Sequence, residues 1–409
     1  MIKCGLLGKK LAHSYSPQIH RYLGDYPYAL IEKEPHELED FLSNGDFSGI
    51  NVTIPYKKAV LPYCDSLTPV AARLGAVNTI VRQKDGTLLG HNSDYFGFHC
   101  MLQRLELDVA GKKALVLGSG GASVTAVAVL EDLGANVTVI SRTGENNYTN
   151  LQLHCDAALI VNATPVGMYP HVDAAPLTLD GFPKLEAVAD LIYNPARTEL
   201  LMDAQRRGLK TENGLWMLVA QAWESACFFT GASISADKIS LIHSALGQQM
   251  ENIVLVGMPG CGKSTVGAAL ADALGRPFID ADAEIEKAAG CTIPEIFEKS
   301  GEPGFRKLEV EVLSRLGKES GLVIATGGGC VTRQENYAHL HRNGTILWLQ
   351  KQLDDLATEG RPLSMASNLR QMYGQRAPLY ERFADLAVEN DHSVSETVAA
   401  ILSAMRYAI

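Results

Sequence analysis

The 409-residue sequence contains no apolar run of the roughly 18 residues that a membrane-spanning helix needs. Its first ten residues, MIKCGLLGKK, lack the long apolar core and the small-residue cleavage site of a signal peptide. The eight cysteines are scattered and form no CxxC pair, which is typical of reduced thiols rather than of a disulfide framework or a zinc ribbon. We therefore expect a cytoplasmic protein.

Metal-binding histidine motifs and an excess of basic residues are also missing. The eleven histidines include no HExxH motif, and we expect His339 and His341, on a polar stretch, to be solvated. Residues 1–250 hold 20 Lys and Arg against 25 Asp and Glu, and residues 251–409 hold 16 against 21. Each part carries a net charge of −5, so neither a metal held by His and Cys nor a nucleic-acid partner is expected.

Apolar strand-like runs alternate with helical patterns along the whole chain, which predicts parallel α/β architecture. Ser16 followed by Pro17 predicts a helix with Ser16 as its N-cap. No internal repeat or low-complexity segment interrupts the pattern. The predicted strands include KCGLLG (3–8), GINVTIP (49–55), KKALVLG (112–118), NVTVISR (136–142), NIVLVG (252–257), LVIATG (322–327) and GTILWLQ (344–350).

The strongest motif, GMPGCGKS, runs from Gly257 to Ser264 between a predicted strand and a predicted helix. It fits GxxxxGK[ST], whose backbone N–H groups surround phosphates, whose Lys reaches the outer phosphates and whose Ser binds Mg²⁺. A chance glycine turn is the competing explanation, and the flanking strand and helix disfavour it. Cys261 within this loop is interpreted as a small filler side chain or, alternatively, as a redox-sensitive thiol.

Two carboxylates, Asp280 and Asp282, close a predicted short strand after this loop. Two residues apart on a strand, they would point to the same face. One could then bind Mg²⁺ and the other could accept a proton from a hydroxyl group. The alternative is that both are solvated carboxylates at the end of a strand. Arginines, a carboxylate and a run of glycines, whose backbone is not covered by side chains, follow further along the chain. They lie in the motifs GFRKLE (304–309), TGGG (326–329), GRPL (360–363) and RAPLY (376–380). Such a set suits an anionic small molecule that carries several hydroxyl groups.

Together these motifs resemble shikimate kinase along nearly all of 251–409. The resemblance implies a P-loop kinase domain with a parallel sheet that uses ATP and Mg²⁺ to phosphorylate the 3-hydroxyl of shikimate. Asp282 is implied as the base and Lys263 as a second catalytic residue, and Arg361 as a lid residue. The implied ATP-binding residues are Gly260, Cys261, Gly262, Lys263, Ser264, Thr265 and Arg361, the shikimate-binding residues are Asp282, Arg306, Gly328, Gly329 and Arg376, and the metal-binding residues are Ser264 and Asp280.

A second glycine-rich turn, Gly118-Ser-Gly120-Gly121, follows a predicted strand and opens a predicted helix, where a pyrophosphate can bind. The next predicted strand ends at Arg142, where an enzyme that uses NAD usually carries an acidic residue. An arginine there suits the 2′-phosphate of NADP, although an exposed arginine at a strand end is the plain alternative.

Lys57 and Asp94 are the candidate ionisable pair for reduction of a ketone, because an ammonium can protonate the alkoxide and a carboxylate can orient it. A surface ion pair is the alternative for these two residues. Hydroxyl and amide side chains of Ser14, Ser16, Thr53 and Asn78 could recognise a polar ring.

The segments that carry these residues resemble shikimate dehydrogenase, in order, over about 1–247: LAHSYSPQIH, NVTIPYK, AVNT, GHNSD, GSGGAS, NATPVGM, DLIYNP and ENGLWMLVAQA. The resemblance implies an α/β substrate domain and a Rossmann NADP domain, with Lys57 and Asp94 as catalytic residues. The implied substrate-binding residues are Ser14, Ser16, Thr53, Asn78, Tyr193 and Gln221. The implied NADP-binding residues are Gly118, Gly120, Gly121, Ala122, Ser141, Arg142, Thr143, Gly214 and Met217. Three departures stand out: Lys9-Lys10 replaces a neutral pair, Ser141 replaces an asparagine, and Asn146 stands where a second phosphate-binding arginine is common.

The product of the first implied reaction is the substrate of the second. We therefore expect a bifunctional enzyme that reduces 3-dehydroshikimate with NADPH and then phosphorylates shikimate with MgATP. The expected domains are 1–95, completed by helices in 217–247, for substrate binding, 96–216 for NADP and 251–409 for the kinase. Alternatives are a quinate/shikimate dehydrogenase with relaxed cofactor use fused to the kinase, or a fusion in which one half is a metabolite sensor without catalysis. The expected partners are the small-molecule substrates, with no nucleic acid and no membrane.

Overall fold

The computed structural model describes residues 3–11, 14–356 and 366–407, and the chain divides into two compact units. The first unit comprises Met1–Tyr193 and Thr198–Ala245, and the second comprises Asn194–Arg197 and Leu246–Ile409. Strands of the described residues form three sheets with helices between them, so the α/β class is confirmed. No helix in the described part of the chain is long and apolar enough to cross a membrane.

The first sheet, in the first unit, mixes parallel and antiparallel strands. Its strands are β1 (Cys4–Gly8), β2 (Tyr28–Glu32), β3 (Gly49–Val52), β4 (Ser66–Leu67), β5 (Thr79–Arg82) and β6 (Leu88–His91). They lie in the order β2-β1-β3-β5-β6-β4, with β1 parallel to β3 and β5 antiparallel to both β3 and β6. Helices α1 (Ser16–Leu23), α2 (Leu38–Asn44) and α3 (Pro69–Leu74) connect them. Because β1 and β3 run in parallel, the segments that follow them leave the sheet at the same edge.

The second sheet of the first unit is entirely parallel. Its strands are β7 (Lys113–Leu117), β8 (Asn136–Ile140), β9 (Leu159–Asn162), β10 (Ala187–Asp190) and β11 (Lys210–Asn213), in the order β11-β10-β9-β7-β8. Alternate residues of β7 enter different cores: Ala114 and Val116 pack in one, Leu115 and Leu117 in the other. A strand buried on both faces is what helices on both sides of a parallel sheet require. The helices that follow the first sheet along the chain are α4 (Asp94–Gln103), α5 (Gly121–Asp132), α6 (Glu199–Arg206), α7 (Leu215–Thr230) and α8 (Asp237–Met250), of which α7 packs against β3 and β5 of the first sheet.

The sheet of the second unit is also parallel. Its strands are β12 (Asn252–Val256), β13 (Phe278–Asp280), β14 (Val323–Ala325), β15 (Gly344–Gln350) and β16 (Leu386–Glu389), in the order β13-β14-β12-β15-β16. Its helices are α9 (Lys263–Leu274), α10 (Ala281–Ala289), α11 (Ile293–Lys318), α12 (Glu335–His341), α13 (Ala366–Phe383) and α14 (Val394–Ala404). Helix α11 is interrupted at Gly301, whose φ of +64° is left-handed, and Pro303 lies in the first turn after this interruption.

Three local predictions were wrong. Asp280 ends β13 and caps α10, so Asp282 lies in the first turn of a helix and the two carboxylates do not share a strand face. Ser16 is the first residue of α1 rather than its N-cap, and its N–H donates to Ser14 Oγ at 3.2 Å. His341 is not solvated, because its side chain is 13% exposed and its Nδ1 lies 3.4 Å from Asp385 Oδ2.

Candidate active sites

A cavity of about 760 Å³ in the first unit collects most of the side chains predicted for its active site. The cavity lies where the loops after β1 and β3 meet the first residues of α4 and α7. Its walls include every residue predicted for substrate binding and for catalysis in this unit: Ser14, Ser16, Thr53, Lys57, Asn78, Asp94, Tyr193 and Gln221. Three residues predicted for the cofactor, Ala122, Gly214 and Met217, also line it.

Lys57 and Asp94 form an ion pair at this cavity, with 2.5 Å between Lys57 Nζ and Asp94 Oδ2. Their side chains are 30% and 14% exposed, so the pair is half-buried rather than a surface contact. Asp94 is the first residue of α4, and its N–H donates to Asn92 Oδ1 at 3.1 Å. The positive end of the helix dipole favours a carboxylate at this position. The ammonium is therefore held at a fixed place in the cavity wall.

The phenol of Tyr193 is a second oriented group of this cavity. It follows β10, and its ring lies edge-to-face on Tyr15 with 6.1 Å between the centroids. Burial raises the pKa of Tyr193, so the phenol remains a hydrogen-bond donor at neutral pH.

The phosphate-binding loop of the second unit joins β12 to α9 as the motif predicted. Lys263 is buried, and its Nζ donates to the carbonyl oxygens of Gly257 at 2.9 Å and Met258 at 3.0 Å. Asn390 Nδ2 donates to the carbonyl of Cys261 at 2.8 Å, and this hydrogen bond stabilises the conformation of the loop. Cys261 is fully buried, in agreement with a filler role. Gly260 and Gly262 have φ of +84° and +94°, and Thr265 is exposed in the first turn of α9.

Asp280 connects this loop to the start of α10. Ser264 Oγ donates to Asp280 Oδ2 at 2.7 Å, while Asp280 Oδ1 accepts the N–H group of Asp282 at 3.0 Å. A hydroxyl and a carboxylate beside a phosphate-binding loop are oxygen ligands that suit Mg²⁺. No group of three or more His, Cys, Asp or Glu side chains among the described residues could hold a metal ion.

Asp282 faces the glycine-rich segment that follows β14. A Cβ atom on Gly327 would lie 2.7 Å from Asp282 Oδ1 and 3.2 Å from Glu309 Oε1, so only glycine leaves room for both carboxylates. Burial raises the pKa of Glu309, the charge of Arg306 lowers it and that of Asp282 raises it. The carboxylates of Asp282 and Glu309 and the guanidinium of Arg306 therefore lie close together beside the glycine-rich segment after β14.

The two arginines predicted to bind a carboxylate approach this same backbone. Arg306 Nη1 donates to Glu309 Oε2 at 2.8 Å and Arg306 Nη2 to Glu302 Oε1 at 3.2 Å. A Cβ atom on Gly329 would come within 2.2 Å of Arg306 Nη2. Arg376 Nη1 donates to the carbonyl of Gly328 at 3.2 Å. The structure therefore brings Asp282, both arginines and both glycines together, while Arg361 lies outside the described residues.

Two known families match different parts of the chain. The family model of the shikimate dehydrogenase substrate binding domain matches residues 6–80. A shikimate dehydrogenase (NADP(+)) of Clostridium perfringens (strain SM101 / Type A) is 35% identical over an alignment of 265 positions, and the match covers 59% of this chain and 97% of that protein. The chain belongs to the shikimate dehydrogenase family. In its C-terminal part the shikimate kinase family model matches residues 259–406. We call the first unit the dehydrogenase unit and the second the kinase unit.

Solved structures support the fold of the dehydrogenase unit. Shikimate dehydrogenase 1 from Peptoclostridium difficile is 37% identical with a TM-score of 0.55, and the match covers 60% of this chain and 98% of that one. A shikimate 5-dehydrogenase from Thermus thermophilus, solved in complex with NADP(H) and shikimate, is 32% identical with a TM-score of 0.54 and covers 60% of this chain and 99% of that one.

The predicted cofactor residues between Gly118 and Thr143 lie beyond the carboxyl ends of β7 and β8, whereas Gly214 and Met217 lie at the start of α7. Gly118 has a φ of +105°, Gly120 precedes α5, and a Cβ atom on either Gly120 or Gly121 would meet no atom within 4 Å. This open space at a helix N-terminus fits a pyrophosphate. Beyond β8, Ser141 Oγ donates to the carbonyl of Thr143 at 2.5 Å, which folds the turn that carries Arg142.

Arg142 is the cation of this turn. It is exposed, and within the described ranges it forms no ion pair with a carboxylate. Asn146 is engaged elsewhere, because its Oδ1 is hydrogen-bonded to His154 Nε2 at 3.1 Å and its carbonyl accepts the N–H of Ser141 at 3.2 Å. Asn146 therefore stabilises the turn through its own hydrogen bonds. Arg142 is the exposed cation of the turn, and its guanidinium could bind a phosphate.

Sequence reasoning missed several residues that build these sites. Asn51 and Lys10 line the cavity of the dehydrogenase unit, and Lys9 instead pairs with Glu34 at 3.0 Å. The replacement of a neutral pair by Lys9-Lys10 was the available signal for Lys10. In the kinase unit Tyr380 is fully buried and donates its hydroxyl to the carbonyl of Gly328 at 2.5 Å. Its place in the RAPLY motif was the available signal.

Proposed function

We propose that this chain is a bifunctional enzyme of the shikimate pathway. It reduces 3-dehydroshikimate to shikimate with NADPH, and it transfers phosphate from ATP to the 3-hydroxyl of shikimate. The observation that carries the first activity is the half-buried Lys57–Asp94 pair in a cavity walled by hydroxyl, phenol and amide groups. The match to the shikimate kinase model, on a chain with an intact phosphate-binding loop, supports the second.

In the dehydrogenase unit, Lys57 donates a proton to the alkoxide that forms when the ketone accepts hydride. Asp94 keeps the ammonium charged and oriented, and Ser14 and Ser16 hold the substrate carboxylate. Hydrogen bonds from Thr53, Asn78, Gln221 and Tyr193 orient the ring.

Cofactor binding uses the open helix N-terminus and the turn beyond β8. Gly118, Gly120, Gly121 and Ala122 accommodate the pyrophosphate, while Ser141, Arg142 and Thr143 hold the 2′-phosphate end. When bound, NADPH supplies the hydride. Gly214 and Met217 line the cavity and are the residues proposed to contact the nicotinamide, and a Cβ atom on Gly214 would come within 2.0 Å of the carbonyl of Leu191.

Arg142→Ala is expected to lower kcat/KM for NADPH and to leave kcat/KM for NADH near the parental value. A charge-assisted hydrogen bond contributes about 1.5–3 kcal/mol, which corresponds to roughly 10- to 150-fold. Initial rates of 3-dehydroshikimate reduction with each cofactor measure the ratio. Arg206→Ala, an exposed arginine at the end of α6, is the matched control. Equal kcat/KM for NADH and NADPH in the parent protein would refute NADP preference.

In the kinase unit, Asp282 accepts the proton of the 3-hydroxyl and Arg306 and Arg376 bind the substrate carboxylate beside Gly328 and Gly329. Lys263 binds the outer phosphates, and Gly260, Cys261, Gly262 and Thr265 contribute to ATP binding. Ser264 and Asp280 would hold Mg²⁺, which would neutralise phosphate charge. The resemblance to shikimate kinase supports a contribution of Arg361 to ATP binding.

Arg376→Ala is expected to raise the KM for shikimate about tenfold or more and to leave the KM for ATP nearly unchanged, because its guanidinium lies at Gly328. Coupled assays of ADP release, with each substrate varied in turn, measure both constants. Arg382→Ala, an exposed arginine on the same helix, should match the parent. A change confined to the ATP constants would show that the arginines are wrongly allocated.

The proposed domain boundaries remain 1–95 with 217–247 for the substrate domain, 96–216 for the NADP domain and 251–409 for the kinase. The first sheet ends at His91, the second spans Lys113 to Asn213 and the third begins at Asn252, which supports this division. The decisive experiment is a pair of assays on the purified chain: NADPH oxidation with 3-dehydroshikimate and ADP release with shikimate. Absence of either activity would refute the corresponding half of the proposal.

A further inference from the structure

Three buried hydroxyl groups lie behind the amides that line the cavity of the dehydrogenase unit. Thr79 is on β5, Ser93 precedes α4 and Ser225 is on α7, and all three residues have no exposed surface. Ser225 Oγ lies 2.8 Å from Thr79 Oγ1 and 2.9 Å from Ser93 Oγ. Ser225 does not itself line the cavity.

Backbone groups of fixed polarity determine how the amides beside these hydroxyl groups are oriented. The N–H of Ser93 donates to Asn78 Oδ1 at 2.8 Å, so this atom must be the oxygen and Asn78 Nδ2 is the atom left for the cavity. Asn51 Nδ2 donates to Ser225 Oγ at 2.8 Å and to the carbonyl of Asn78 at 3.3 Å, while Asn51 Oδ1 accepts the hydroxyl of Tyr28 at 2.8 Å. Both polar atoms of Asn51 are therefore used inside the protein.

The hydroxyl of Ser225 has four polar neighbours, one more than it can bond at once. Ser225 donates its one hydroxyl proton to the carbonyl of Gln221 at 2.9 Å, so its other neighbours can only donate to it. Its two lone pairs accept two of three donors: Asn51 Nδ2, the hydroxyl of Thr79 and the hydroxyl of Ser93. A hydroxyl that is not bonded to Ser225 has another acceptor, which is Asn78 Oδ1 at 3.0 Å from Thr79 and 3.2 Å from Ser93, or Gln221 Oε1 at 3.3 Å from Ser93.

Gln221 is oriented by the same set of contacts. Its Oε1 faces Ser93, and its Nε2 donates one proton to the carbonyl of Leu218 at 2.9 Å. The second proton of Nε2 remains available to the cavity, as do the protons of Asn78 Nδ2. Both amides thus present donors to a ring that carries hydroxyl oxygens.

We propose that Ser225 is a positioning residue of the dehydrogenase site, which holds Ser93 and through it the cavity-lining amides of Asn78 and Gln221. This inference rests on the proposed function of the cavity, and it adds a residue that acts only through others. A hydroxyl in this place connects β3, β5 and the start of α4 to α7. Without it, the buried donors of Asn51 and Thr79 lose an acceptor, and Ser93, whose hydroxyl contacts both amides, loses the neighbour that holds it in place.

Ser225→Ala is expected to raise the KM for shikimate roughly tenfold, measured as shikimate oxidation with NADP⁺, while the KM for NADP⁺ stays near the parental value. Thr230→Ala is the matched control, because Thr230 makes the same bond to a carbonyl four residues earlier on α7 outside the cluster, at 2.8 Å. Ser225→Thr keeps the hydroxyl and should return the KM for shikimate towards the parental value.

Thermal unfolding separates positioning from stability. A lowered melting temperature with an unchanged KM for shikimate in Ser225→Ala would overturn the inference. If that variant gives no folded dehydrogenase unit, Ser93→Ala removes a hydroxyl that contacts both Asn78 and Gln221 and carries the same expectation, and an unchanged KM there would equally overturn it. Failure of the proposed function is distinct, since the parent protein would then oxidise no shikimate at all.

Discussion

Lys57→Ala is expected to lower NADPH-dependent reduction of 3-dehydroshikimate by about 10²–10⁴-fold, the usual contribution of a general acid. Lys57 Nζ is 2.5 Å from Asp94 Oδ2 in the cavity wall, and alanine leaves the developing alkoxide without that proton donor. ADP release on addition of shikimate should stay at the parental level, because the residues proposed for phosphate transfer all belong to the kinase unit.

The neighbouring lysine provides the control for this result. Lys58 is exposed and is not among the residues that line the cavity, so Lys58→Ala should leave ketone reduction unchanged. Steady-state rates of NADPH oxidation at saturating 3-dehydroshikimate give the comparison. Parental rates in Lys57→Ala would exclude Lys57 as the acid, and a similar loss in Lys58→Ala would point to a general effect of charge near the cavity.

The sequence was sufficient where a site depends on short-range geometry. The strand, glycine loop and helix around Lys263 are contiguous, so spacing alone predicted the phosphate-binding loop. The same holds for the turn between β7 and α5 that contains Gly118. In each case the backbone itself forms the site, and the motif specifies the backbone.

The sequence was insufficient where a site depends on contacts between distant segments. Asn51 and Ser225 are 174 positions apart, and nothing in either segment indicates that one hydroxyl and one amide meet. The pairing of Lys57 with Asp94, 37 positions away, could be inferred only because reduction of a ketone needs a proton donor and a counter-ion that orients it. Buried hydrogen-bond partners with no chemistry of their own have no comparable signal.

The error at Asp280 and Asp282 has a local cause. The predicted strand was extended through both carboxylates, whereas an aspartate before Ala-Asp-Ala-Glu is also a good N-cap with acidic residues in the first turn of a helix. The side chain of Asp280 satisfies the N–H of Asp282 at 3.0 Å, which favours helix over a further strand residue. Asp282 then projects from a helical turn towards Gly327.

This placement makes Asp282→Asn the sharpest test of the kinase unit. The cap of α10 uses the side chain of Asp280 and the backbone N–H of Asp282, so a change in the side chain of Asp282 leaves the cap in place. A neutral amide of the same size cannot accept the proton of the 3-hydroxyl. We expect ADP release with shikimate to fall by about 10²–10⁴-fold, while reduction of 3-dehydroshikimate remains at the parental rate.

Asp272→Asn, an exposed aspartate on α9, is the matched control and should leave both activities unchanged. Single-turnover measurements with ATP and shikimate isolate the phosphate-transfer step from product release. Parental single-turnover rates in Asp282→Asn would assign the base to another group, and Glu309, whose pKa burial raises, is the nearest candidate on the same backbone. Loss of both activities in a folded Asp282→Asn protein would contradict the assignment of one chemistry to each unit, because the proton donor for ketone reduction, Lys57, belongs to the other unit.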